Sequence, residues 1–258
     1  MMKSDLESLR KNSARVLRLP EPAQEVVNAY LNIRVDDAVA ACPYHINPGL
    51  RLSDRALLGK GNPAEIEAAA KKYFKKYAMY PGNDAEKLRS FLTACGIGID
   101  CSGFASWVMN GVTQARLGRP LWRCLKFLGL RQRAVSTLRP VENISAKLLT
   151  GPANARPLDD VTDVKPGDLI RAASWHHVLV VTEVGLDASG KARYFQYAQS
   201  SCMYGPASGV RLGHAVIKKP RGALVQQTRF DADAENVIEA LIKEGGNDSR
   251  IVRLKVLA

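Results

Sequence analysis

Apolar positions recur at helical spacing through the first half of the chain and at strand spacing through the second. Residues 21 to 31, opened by "PEPAQE", read as a helix. In "GKGNPAEIEAAAKKYFKKY" Asn62 is a cap, Pro63 suits the first helical position and Glu65 can reach back to complete a capping box. Gly59 and Gly61 do not make this a phosphate loop, since neither a preceding strand nor a Gly-Lys-Ser/Thr accompanies them. A shorter helix, "NDAEKLRSFLTAC", follows. Then comes "CSGFASWVMNGV", with Phe104, Trp107, Val108 and Val112 on one face.

The period then changes. "KPGDLIRAA", "HHVLVVTEVG" and "KARYFQYAQSS" are three strands separated by turn residues, and "GVRLGHAVI" with "GALVQQTRF" predicts a further pair. A helix "DAENVIEALIKEG" and a strand "RIVRLKVL" close the chain. Helices followed by a meander of antiparallel strands predict an α+β fold. The reading divides the chain into an N-terminal extension (1–55), a main domain (56–225) with an insertion at about 114–160, and a C-terminal helix and strand (226–258).

At 258 residues, nearly half of them apolar, the chain can bury a sizeable core. No apolar run reaches the length of a membrane span, and "MMKSDLESLRKNSARVLRLP" lacks the apolar segment of a secretory signal. The expectation is a cytoplasmic protein by default, or one exported by a specialised route. Five cysteines (Cys42, Cys95, Cys101, Cys124, Cys202) without framework spacing predict free thiols. Cys42 and His45 have no second pair to complete a zinc site, so neither a metal nor a cofactor is expected.

The net charge of +12 is uneven. Between Cys101 and Pro140 there is no acid, while Arg116, Arg119, Arg123, Lys126, Arg131, Arg133 and Arg139 all fall there. Such a segment attracts anions over roughly 8–10 Å. An anionic polymer at residues 116–139 is therefore an expected partner, and charge alone does not choose among nucleic acid, membrane and wall polymer.

The candidate chemistry centres on Cys101, at the start of a helix after Asp100. Unpaired N–H groups and the helix dipole favour a thiolate there and can also hold an oxyanion. The alternative is that Asp100 is a cap and Cys101 a small buried side chain. A nucleophile needs a base, and His176 and His177 head the central strand, pointing to opposite faces. The next strand offers Gln196 and Gln199, and the amide oxygen of either can accept the second imidazole N–H.

"DCSGF", then "PGDLI", "HVLVV" and "AQSS....GV", in that order, resemble the NlpC/P60 family of papain-like cysteine peptidases, over roughly residues 60 to 225. The resemblance implies a papain-like α+β fold and hydrolysis of amide bonds in peptidoglycan stem peptides, typically after D-γ-glutamate. It makes Cys101 the nucleophile, His177 the base and Gln199 the third residue. Asp100 and Ser102 become substrate contacts, Asp100 toward a free amine. Trp175, two residues from His177 and expected on the same strand face, is a candidate wall of the cleft. "HHVLVVTEV" is also similar to the CHAP amidases, so the bond cut stays open. Transfer to an amine, and an inactive scaffold binding polyanions, remain alternatives. Oligomeric state cannot be read.

Overall fold

The computed structural model describes residues 2–47, 54–127, 139–221, 224–226 and 237–258. Six helices, α1 (Met2–Lys11), α2 (Glu21–Leu31), α3 (Pro63–Lys76), α4 (Ala85–Ala94), α5 (Cys101–Leu117) and the single turn α6 (Leu121–Cys124), precede most of the sheet. The capping box on α3 forms as its sequence requires. Asn62 Oδ1 accepts the Glu65 amide at 2.9 Å and Glu65 Oε2 accepts the Asn62 amide at 2.8 Å. Asp84 caps α4 through the amides of Glu86 and Lys87. The stacked rings of Phe74 and Phe91 join α3 to α4 with centroids 3.8 Å apart.

The strands are β1 (Arg15–Arg18), β2 (Ile33–Val35), β3 (Ala38–Ala40), β4 (Ala155–Pro157), β5 (Leu169–Ala172), β6 (His177–Leu186), β7 (Ala192–Ser201), β8 (Gly209–Val216) and β9 (Arg250–Leu254). Strands β2 and β3 form a separate hairpin. The other seven make one antiparallel sheet in the order β4-β9-β5-β6-β7-β8, with β1 beside β6. Val180 pairs with both Leu169 and Ala198, and Val184 with both Leu17 and Phe195. So β6 is lined on one edge by β5 and then β1, and on the other by β7.

Both faces of the sheet are buried, which is why "HVLVV" is apolar without alternation. Val178, Val180 and Ala198 pack with Phe104, Val108 and Val112 of α5. Leu179, Val181 and Tyr197 pack on the far side with Leu224, Leu241 and Ile242, the last two from the helix Val237–Gly245. No helix among the described residues is long and apolar enough to cross a membrane.

The chain's two ends join the central sheet. Strand β1 is tied to it by Glu183, which accepts from Arg10 (2.7 Å), Arg18 (3.0 Å) and Tyr194 (2.9 Å). Strand β9 lies between β4 and β5, with Arg253 gripping Asp168 at 2.7 Å through two nitrogens. The strand expected in "GALVQQTRF" is not formed where it is described. Leu224–Gln226 is a 3₁₀ turn, and Leu224 is drawn into the far-side core. The remainder of that stretch lies outside the described residues.

Candidate functional site

Everything at the site is built around the head of α5. Asp100 sits at the N-cap in extended conformation, and its Oδ1 accepts the Gly103 amide at 2.6 Å and the Ser102 hydroxyl at 3.0 Å. A buried cation completes the arrangement. Lys60 Nζ lies 2.9 Å from Asp100 Oδ2, 2.5 Å from Ser102 Oγ and 3.3 Å from the Ile144 carbonyl. Lys60 comes to this place through a bridge to Ile99 and through the Trp107 indole, which donates to the Lys60 carbonyl at 2.9 Å. Gly103 is required by that approach: a Cβ on it would stand 2.6 Å from the Gly59 carbonyl oxygen.

This differs from the expected use of Asp100 and Ser102 as contacts for a substrate amine. Asp100 is 3 % exposed, and its carboxylate is already engaged by an internal ammonium. A free amine would have to displace Lys60. The signal for Lys60 was faint, since a lysine between two glycines reads as loop. A cavity of about 370 Å³ adjoins the cluster, lined in part by Lys60, Asp100, Ser102, Arg139, Glu142 and Ser145.

Cys101 occupies the first helical position and is 8 % exposed. The β6–β7 ladder begins at Val180 and Ala198, and beyond it the strands part. The segment Ile99–Cys101 enters that opening. Ser200 Oγ of β7 donates to the Ile99 carbonyl at 2.7 Å, and the Cys101 thiol meets the His176 carbonyl at 3.8 Å. The amides of Val178 and Ser102 also point at the sulfur. The nucleophile candidate thus addresses the backbone on both sides of His177, while no hydrogen bond joins sulfur to imidazole.

Burial pushes the Cys101 thiol up to about 12, and the Asp100 charge adds to the rise. Lys60 and the two amides offset only part of this. The sequence suggested a lowered thiol pKa from the helix terminus; in the folded chain desolvation wins. Burial likewise lowers the His177 pKa, opposed by its bond to Gln199. The resting pair is a neutral thiol beside a neutral imidazole.

His177 Nε2 and Gln199 Oε1 are 2.7 Å apart, and Gln199 is fully buried. Gln196, the alternative, instead accepts from Thr182 at 3.2 Å. The three-residue separation on β7 puts the two glutamines on opposite faces, and Gln199 is on the face of His177. Gln199 Nε2 in turn donates to the Tyr204 hydroxyl at 3.1 Å. The guanidinium of Arg211 covers the Tyr204 ring, 3.6 Å from its centroid.

Trp175 does not share a strand face with His177. Ala173–Trp175 is a 3₁₀ turn, with positive φ at Ala173 (49°) and Ser174 (47°), and β6 begins only at His177. The Trp175 side chain lies outside those described. For the same reason His176 is not on the opposite sheet face; it ends the turn, and its side chain is exposed. His45 Nε2 meets the Leu57 carbonyl at 3.1 Å, and His214 is buried opposite Gln196. Among the described residues no cluster of three His, Cys, Asp or Glu side chains is placed to hold a metal. Of the basic segment, Arg116 donates to the Pro166 carbonyl and Arg139 lines the cavity, while Arg131 and Arg133 lie outside the described residues. No family model, curated protein or solved structure matches the chain.

Proposed function

We propose that the protein is a papain-like cysteine hydrolase of the NlpC/P60 kind, cutting amide bonds in peptidoglycan stem peptides through a thioester on Cys101. The observation that carries the reading is the buried 2.7 Å bond between His177 Nε2 and Gln199 Oε1, beside a helix-terminal cysteine whose sulfur touches the residues flanking that histidine. An amide oxygen on Nε2 fixes the imidazole tautomer that carries its proton there, leaving Nδ1 as the base. The order of "DCSGF", "PGDLI" and "HVLVV" supports the family, and the mixed helix and antiparallel sheet is compatible with its fold.

In this mechanism His177 removes the thiol proton as the sulfur attacks the amide carbonyl, because the free thiol is protonated at neutral pH. The Gly103 amide is spent on Asp100, so the Cys101 amide serves the oxyanion. Protonated His177 then gives its proton to the leaving amine, and water, activated by the same imidazole, releases the acid from the thioester. Asp100 and Ser102 hold the helix head and Lys60, and both also line the adjoining cavity. Acid-quenched intact-protein mass spectrometry during turnover of a stem peptide tests this. An acyl adduct mapping to Cys101 is expected, and turnover with an adduct on another residue would overturn it.

A further inference from the structure

We propose that Tyr204 is a positioning residue of this site, orienting Gln199 so that its oxygen faces His177, and that Arg89 and Arg211 exist to hold Tyr204 in place. The inference rests on the reading of His177 as the base. Gln199 is fully buried, so both ends of its amide need partners. Oε1 faces the imidazole at 2.7 Å and Nε2 donates to the Tyr204 hydroxyl at 3.1 Å. A turned amide would offer N–H to His177 Nε2 and force the proton onto Nδ1, the atom that must take the thiol proton. In the observed orientation the Tyr204 hydroxyl accepts from Nε2 and Oε1 is left to the imidazole, whereas the turned amide would require that hydroxyl to reverse and donate.

The support behind Tyr204 is more than packing requires. Its turn is pinned by its own backbone: the Tyr204 amide donates to Ser208 Oγ at 3.1 Å and the Ala207 amide to the Tyr204 carbonyl at 3.0 Å. From α4, Arg89 spreads its guanidinium over three carbonyls, those of Pro206 (3.2 Å), Ala41 (3.0 Å) and Ser208. From β8, opposite Gln199 in the register, Arg211 stacks on the ring. Its Nε and Nη1 are buried without a hydrogen-bond acceptor among the described residues. A guanidinium held in that state, with the ring as its visible partner, is costly and marks the ring as the thing being fixed.

By accepting from Nε2, Tyr204 also polarises the amide and strengthens Oε1 as an acceptor, which favours protonated His177. The ionisable groups on the elements that meet here include Cys101 and Asp100 at the head of α5, Lys60 paired with Asp100, and Tyr44, whose pKa is raised by burial and by Cys101. Arg211 lies opposite Gln199 on β8, and the exposed His176 directly precedes His177. A Tyr204→Phe substitution leaves all of these in place, as well as the ring under Arg211.

The test is a histidine NMR titration of the free protein, with the His177 signal assigned from His177→Gln. Tyr204→Phe is expected to lower the His177 midpoint, in the same direction as Gln199→Leu, and to reduce kcat about tenfold with KM little changed. Arg211→Lys, which keeps the charge and the Tyr204 hydroxyl but removes the planar cover of the ring, is expected to move the midpoint the same way and serves if Tyr204→Phe does not fold. An unmoved midpoint in a folded variant overturns the proposal. The titration needs no substrate. If cleavage depends on Cys101 while the midpoint is unmoved, this inference falls alone; if the midpoint moves and no amide is cut, the hydrolase reading falls and the orienting role stands.

Discussion

Replacing Lys60 with Met removes the ammonium from the head of α5 while keeping a side chain of similar length. The two ion-pair partners are almost withdrawn from solvent, with side-chain exposures of 11 % for Lys60 and 4 % for Asp100. Taking one member from such a pair leaves a buried charge behind, at a cost of about 3–5 kcal/mol, against 0–1 kcal/mol for a surface pair. Asp100 keeps the Gly103 amide and the Ser102 hydroxyl, which places the expected loss near the lower end, about 3 kcal/mol. A domain of this size has roughly 5–15 kcal/mol to lose, so the variant should fold and be measurable. Urea denaturation of Lys60→Met, Asp100→Asn and the double variant reads the effect. The double variant should lose less than the sum of the singles by about 2 kcal/mol. A loss under about 1 kcal/mol for Lys60→Met, or strict additivity, would refute the claim that the ammonium neutralises Asp100 in a buried cradle.

Three further outcomes follow from the same geometry. Because burial holds the Cys101 thiol up at about 12, iodoacetamide labelling of Cys101 should climb with pH and show no plateau at neutral pH, with exposed Cys202 as the reference in peptide-mapping mass spectrometry. A neutral-pH plateau would reveal a thiolate–imidazolium pair and contradict the neutral resting state. The raised thiol also lowers alkaline stability: the unfolded chain loses this proton first, so wild type should lose stability relative to Cys101→Ser from the ordinary thiol range up to about 12. Gly103→Ala drives a Cβ to 2.6 Å from the Gly59 oxygen and 2.8 Å from the Ile99 side chain, and should cost about 1–3 kcal/mol in thermal unfolding. A neutral effect would mean that the Gly59–Lys60 loop yields freely.

The parts of the site that the sequence made legible are local ones. Asn62-Pro63 and Glu65 announce α3, and Asp100 before "CSGF" announces the start of α5, because caps and periodicity involve neighbours only a few residues apart. The strand reading left Gln196 and Gln199 both open, and it was the resemblance of "QSS" and "GV" to the NlpC/P60 pattern that favoured Gln199. Lys60, Tyr204 and Arg89 were not legible. Each acts across long sequence distances, Lys60 on Asp100 and Arg89 on the turn at 206–208, and a lysine or tyrosine in a glycine-bearing loop carries no periodic signature. The positions of β1 and β9 were hidden for the same reason, since strands of four and five residues choose partners through pairing with distant chain. The rise of the Cys101 pKa needed the fold as well. The helix terminus predicts a thiolate, and only the closed wedge between β6 and β7 shows that desolvation is the larger effect.

The central claim is that Cys101 is a nucleophile toward wall-type amides. Mass spectrometry of intact peptidoglycan and soluble stem peptides, incubated with wild type and with Cys101→Ala, tests it most directly. The account predicts new peptide termini with wild type, their masses naming the bond, and none with the variant. A folded wild type that cuts neither substrate, or a Cys101→Ala variant that cuts as well as wild type, would contradict it.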